Sequence, residues 1–159
     1  MNQLTDSKSL EPVERPADQH SHDRDRVLWA DRQARLLRHG RLDELDRENL
    51  IEELDAMGGS ERRELRSRLA VLLIHLLKCQ YQPERKSSGW IATIGEQRSQ
   101  IALQFEDSPS LAPQLMAYAD KAYRSAVTRA SLETMLPKNA FPATNPFSRD
   151  QLLDLDFIP

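Results

Sequence analysis

Leu69-Ala70-Val71-Leu72-Leu73-Ile74-His75-Leu76-Leu77 is apolar on every side except at His75. Such a stretch has no polar face to turn toward water, so protein must surround it. The residues just before it settle its conformation. Leu65, Leu69, Leu72 and Leu76 recur at helical spacing, which predicts a helix from about Ser60 to Tyr81. Pro83 prevents much continuation, because proline has no amide hydrogen to donate. The sequence therefore reads as an all-α bundle built around this central buried helix.

The same periodicity extends outward in both directions. Upstream, Leu50, Leu54 and Met57, with Ile51 beside them, predict a helix from Asp43 or Asp46 to Met57, ended by Gly58-Gly59. Before it, Val27, Ala30, Ala34 and Leu37 form the stripe of a helix from Asp23 to His39, with Gly40 suited to its left-handed end. Downstream, Ile91, Ile94, Ile101 and Phe105 mark a helix from Ser88 to Glu106, capped by Ser87 or Ser88, with Arg98 on the same stripe. Ser108 and Pro109 open a helix to Met135 that carries Leu111, Leu115, Tyr118, Ala122 and Ala126 on one face. The stretch LPKNAFPATNPF contains three prolines and reads as irregular, anchored by Phe141 and Phe147. Ser148 and Gln151 make a capping box for a short C-terminal helix, Arg149 to Leu153. The expected architecture is about five main helices plus this short one, in a single domain over residues 23–159. Residues 1–22 are polar, hold two prolines and show no periodicity, which reads as a disordered tail.

Composition narrows the function classes. With 159 residues the chain is long enough to bury a core without metals or disulfides as staples. Cys79 is the one cysteine, no basic-then-apolar leader opens the sequence, and no run approaches the roughly 18 apolar residues that span a bilayer. These features point to the cytoplasm and away from membranes. The net charge is -3, but it is uneven. Residues 23–41 hold six Arg against three Asp, and residues 43–57 hold seven acids against Arg47 alone. Acidic and basic helices that neutralise each other where they pack are the simplest account of this.

Six segments taken in order are distinctive as a set: LDRENLIEELDAM (45–57), HLLKCQYQPERKSSGW (75–90), TIGEQR (93–98), DSPSL (107–111), FPATNPF (141–147) and LLDLDFIP (152–159). They make residues 23–159 resemble family twenty-nine of the domains of unknown function, found mainly in bacteria. The resemblance implies a compact helical domain and no particular activity. The chain departs from the family pattern at Cys79, where a large aromatic is expected, at Gly95, where a polar residue is expected, and at Asn145, where cysteine is frequent.

Few residues offer chemistry. His75 is a lone imidazole on an apolar helix, either a satisfied core histidine or a ligand or general base. Glu53 (or Glu52), His75 and Arg98 come from three consecutive predicted helices, and their convergence would make either an ion-pair strut, with Arg98 donating to Glu53 or Glu52, or a site. Arg68 and His75 match the Arg-then-His spacing of helical toxin ribonucleases, and so do Arg32 and His39, so the pattern discriminates little. Lys78, Tyr81, Arg85 and Trp90 mix cations with aromatics, as nucleic-acid and protein-binding surfaces do. Trp90 packed into a helix corner is the structural alternative.

No Glu-x-x-His pair, Gly-rich phosphate loop or nucleophile elbow is present, and the His20–His22 triplet is a poor chelator on a floppy tail. No metal and no cofactor is therefore expected. The sequence reads as a helical interaction module acting through its surface on a protein partner, with self-association open. The alternative is a nucleic-acid-acting protein, a metal-independent ribonuclease using Arg68, His75 and a basic face.

Overall fold

The computed structural model of the protein describes residues 22–159. The expected N-terminal tail, His22 excepted, lies outside them. The described residues are mostly helical, with no strand among them. They contain five α-helices: α1 (Arg26–Arg38), α2 (Arg47–Tyr81), α3 (Ser88–Asp107), α4 (Leu115–Thr134) and the short α5 (Arg149–Leu153). The described residues divide into two compact units, 22–55 and 56–159, with the boundary inside α2.

The first unit is a helical hairpin. Asp25 caps α1 by accepting the Leu28 amide at 3.0 Å. Gly40, at φ +68°, lets the chain leave α1 in the left-handed conformation that a side chain would strain. Asp46 opens α2, its carboxylate accepting the Asn49 amide and side-chain amide. The two helices are antiparallel, because Arg26 reaches Glu53 near the start of α1 while Gln33, further along, accepts from the Asp46 amide. The Trp29 indole N–H donates to the Asp46 carboxylate at 3.0 Å.

This unit overturns two stripe assignments. The face of α1 that is buried holds Trp29, Gln33 and Leu36, not Val27, Ala30, Ala34 and Leu37. Trp29 has the largest apolar surface on α1, and it carries a donor that Asp46 satisfies, so it decides which way the helix turns. On α2, Ile51, Leu54 and Met57 are 60–65% exposed rather than packed.

The second unit has one continuous core. From Leu65 onward α2 is the buried helix that the apolar run requires: Leu65, Leu69, Leu72, Leu73, Leu76, Leu77 and Cys79 have no exposed surface. Gly58-Gly59 does not end a helix before it; α2 runs through both glycines. A helical glycine costs only about 1 kcal/mol against alanine. Here the Arg62 and Arg63 guanidinium groups fold back over the gaps that the missing side chains leave. Around α2 pack Ile94 and Ile101 of α3, and the alanine ridge Ala119, Ala122, Ala126 and Ala130 of α4. Small side chains there admit close helix approach.

The α3–α4 link is a 3-10 turn over Pro109–Gln114, so α4 starts at Leu115 rather than at Pro109. Pro113 lacks the amide hydrogen that an α-helix would need there. Ser87 caps α3, and Ser148 with Gln151 forms the expected capping box of α5. Phe141 and Phe147 are both buried, anchoring the proline-rich stretch as expected.

Candidate functional site

Arg98 is the most deeply buried charged residue of the described chain, at 1% exposure. Its expected carboxylate partner does not reach it. Instead its guanidinium donates to three backbone carbonyls of the C-terminal segment: Leu152 at 3.1 Å, Phe157 at 2.8 Å and Gln151 at 2.7 Å. Two of these carbonyls belong to the last turn of α5, which has no partner within its own helix. Arg98 is therefore a clamp on the chain end. Burial pulls its pKa below the ordinary arginine value, but the group stays a donor to all three oxygens.

The other members of the expected trio have partners of their own. Glu53 accepts from His22 Nε2 at 2.6 Å and from Arg26 at 3.2 Å, in the first unit. The His22 hydrogen bond holds the Glu53 carboxyl below its usual range, and Glu53 in turn raises the His22 pKa. The His22 ring packs edge-on to Trp29 at 4.8 Å. His75 is half-buried, with Nδ1 at 2.9 Å from the Val71 carbonyl of its own helix. Arg68 is held by Glu64, one turn before it, with Nε 3.0 Å from the carboxylate. Thus Glu53, His75 and Arg98 have separate partners, and Arg68 is occupied within α2.

The expected cation–aromatic surface is largely internal. Lys78 is 7% exposed, lies 4.3 Å from the Trp90 ring centre and donates to Glu133 at 2.7 Å. That hydrogen bond lowers the Glu133 pKa, with smaller pulls from Arg129 and His75. Trp90 is packed into the helix corner through its ring face, which satisfies the buried ammonium. Tyr81 stacks edge-on to Phe141 at 5.1 Å. Arg85 alone of the four is exposed. Cys79 has no exposed surface, and burial raises its thiol pKa, so it is an unreactive core residue.

The open concavity lies elsewhere. A groove of about 1100 Å³ runs between α4 and residues 138–145. Met116, Tyr123, Val127 and Phe141 give it an apolar floor. Tyr123 fixes the far wall by donating to the Pro142 carbonyl at 2.9 Å, and burial pushes its pKa up to about 12. Arg124 and Lys138 stand on the rim, and neither has an ion-pair partner among the described residues. The one acid, Asp120, accepts from the Asn145 amide at 3.3 Å. Beside it, no hydrogen bond engages Ala143 or Thr144 among the described residues.

Sequence reading did not single out this groove. The available signal was the three-proline stretch: a segment that cannot be helical, pinned by phenylalanines at its ends, cannot interlock with a neighbouring helix along its whole length. Asn145, one of the departures from the family pattern, lines this groove, and Gly95, another, faces open space.

Among the described residues no cluster of three or more His, Cys, Asp or Glu could hold a metal ion, and no helix is long and apolar enough to cross a membrane. No curated protein and no solved structure matches the chain. A family model does, over residues 21–158, and the chain belongs to the DUF29 family, a domain of unknown function.

Proposed function

We propose that the protein is a helical interaction module of the cytoplasm that takes up an extended, acidic segment of a partner protein in the α4 groove. The observation that carries this reading is the pairing of an apolar floor with two unneutralised cations, Arg124 and Lys138, on an open rim. Apolar side chains of a bound segment would cover Met116, Val127 and Phe141, and its carboxylates would meet the cations. The free backbone at Ala143 and Thr144 offers hydrogen bonds to a peptide main chain. A built catalytic centre has less support, because each candidate catalytic residue already serves a local structural partner.

The test is fluorescence anisotropy of the full chain with labelled ten-residue peptides of alternating Leu and Asp, beside a labelled single-stranded RNA. The acidic peptide is expected to bind, and Arg124→Glu with Lys138→Glu to weaken it by more than about tenfold, since truncating or reversing interface charges typically costs a few kcal/mol. No peptide binding, or binding that the double variant leaves intact, would overturn the reading. Strongly salt-dependent RNA binding would promote the nucleic-acid alternative instead.

A further inference from the structure

Among the described residues, the stretch of α2 between Glu53 and Glu61 has only its own helix to hold it. Glu53 is tied to the hairpin, through His22 at 2.6 Å and Arg26 at 3.2 Å. Glu61 is tied to the core: the buried Gln104 amide donates to its backbone carbonyl at 2.8 Å and to its carboxylate at 3.2 Å. From Leu54 to Ser60, no side chain makes a hydrogen bond or ion pair, or joins the core, among the described residues. Leu54, Asp55, Ala56, Met57 and Ser60 are exposed, and the first buried residue of α2 is Leu65. The boundary between the two compact units falls in this stretch, between Asp55 and Ala56.

Two turns of helix are marginal in water without packing. Gly58 and Gly59 weaken these turns further, since only proline is a poorer helix former. Neither glycine is demanded by the fold. Positive φ occurs among the glycines only at Gly40, so both have backbone angles open to any residue. A Cβ at Gly58 would meet the Arg62 guanidinium at 3.5 Å, an ordinary contact. One at Gly59 would meet the Arg63 guanidinium at 3.1 Å, the far end of a flexible side chain that can give way. Alanine would therefore fit at both positions and favour the helix. Local preference opposes the helix at the point where packing supports it least. In a sequence otherwise consistent with its fold, conflicts of this kind mark places that serve something other than stability.

We propose that Gly58-Gly59 is an opening point in α2: the turns from Leu54 to Ser60 melt and re-form while the hairpin and the core each keep their own packing. Opening breaks the bonds that amides 58–64 make to the carbonyls four residues earlier. It also releases the Arg62 and Arg63 guanidinium groups from the glycines. None of residues 54–60 is buried, so opening uncovers no core, and both glycines recover the backbone freedom that a helix denies them. By geometry α2 is one helix; in its stability it is two, divided where the compact units divide.

Native-state hydrogen exchange of the full chain at neutral pH tests this, read as protection relative to the intrinsic rate of each amide. Amides 58–64 should be protected at least about tenfold less than amides 33–37 of α1, and at least about tenfold less than amides 73–79 in the buried end of α2. Gly58→Ala and Gly59→Ala should each raise the protection of amides 58–64 about fivefold, and Ala56→Gly should lower it about fivefold, with amides 73–79 unchanged in all three variants. A smaller gap between amides 58–64 and the buried end of α2 overturns the proposal, because the helix then opens only with the core. A smaller gap from the α1 amides overturns it too, because the whole hairpin then opens with the stretch. So do alanine variants that leave the protection of amides 58–64 unchanged.

Discussion

Replacing Arg98 with methionine isolates what the buried cation does. Methionine fills similar length without charge or donors, so the Leu152, Phe157 and Gln151 carbonyls lose their partner together. A carbonyl left unpaired in a buried setting costs about 1–3 kcal/mol. The Leu152 bond is the fully buried one; the other two are partly buried, and water recovers part of their loss. Methionine also escapes the desolvation that arginine bears in this position, which offsets some of the damage. The net expectation is a loss of about 2–4 kcal/mol in urea denaturation. Hydrogen exchange should localise it, with faster exchange at the Leu152, Asp154 and Phe157 amides, which close the α5 end and the turn beyond it. Arg98→Lys should recover only a fraction, since a single ammonium cannot span three diverging oxygens. Glu53→Gln should leave those amides untouched, and its effect should add to that of Arg98→Met. A loss below about 1 kcal/mol, or C-terminal exchange that responds to Glu53 rather than Arg98, would refute the clamp.

Other perturbations have equally defined outcomes. Leu72→Ala, at a position with no exposed surface, should cost about 2–5 kcal/mol in the same denaturation assay. The raised His22 pKa means that its contribution to the hairpin is full below the ordinary value of 6.5 and fades as pH rises through the folded value. With Trp90→Phe as background, Trp29 fluorescence should follow that titration, and His22→Gln should abolish it. Glu133 has the opposite sign: its pKa is lowered, so the Lys78 pair stabilises above 4.5 and is lost as pH falls through the folded value. The stability gap between the parent and Glu133→Gln, about 1 kcal/mol or less because the carboxylate is a third exposed, should therefore close in acid.

The second unit was largely legible because its signals are local or absolute. An apolar run with no polar face has one solution, and the caps at Ser87 and Ser148 are set by residues three positions away. The Gly58-Gly59 break failed for a graded reason. Glycine is a modest penalty in a helix, and it stops one only where the chain must turn left-handed, as at Gly40. The partner of Arg98 was hidden for a different reason. Sequence reading looks for a carboxylate opposite a buried cation, whereas here three backbone carbonyls accept one bond each from the guanidinium, and every residue of the chain carries such a group.

The hairpin shows what periodicity measures. Val27, Ala30 and Leu37 do share a helix face, and so do Ile51 and Leu54; helical geometry guarantees it. Periodicity says only that such a face is apolar, and whether this chain covers it depends on competition with the face one-third of a turn away. On α1 that competitor is Trp29 with Leu36, and Gln33 between them becomes tolerable because the Asp46 amide satisfies it. Once Trp29 is turned inward, the regular stripe must face outward. A stripe that is well formed yet exposed among the described residues shows that apolar periodicity and burial are separate properties of a helix face.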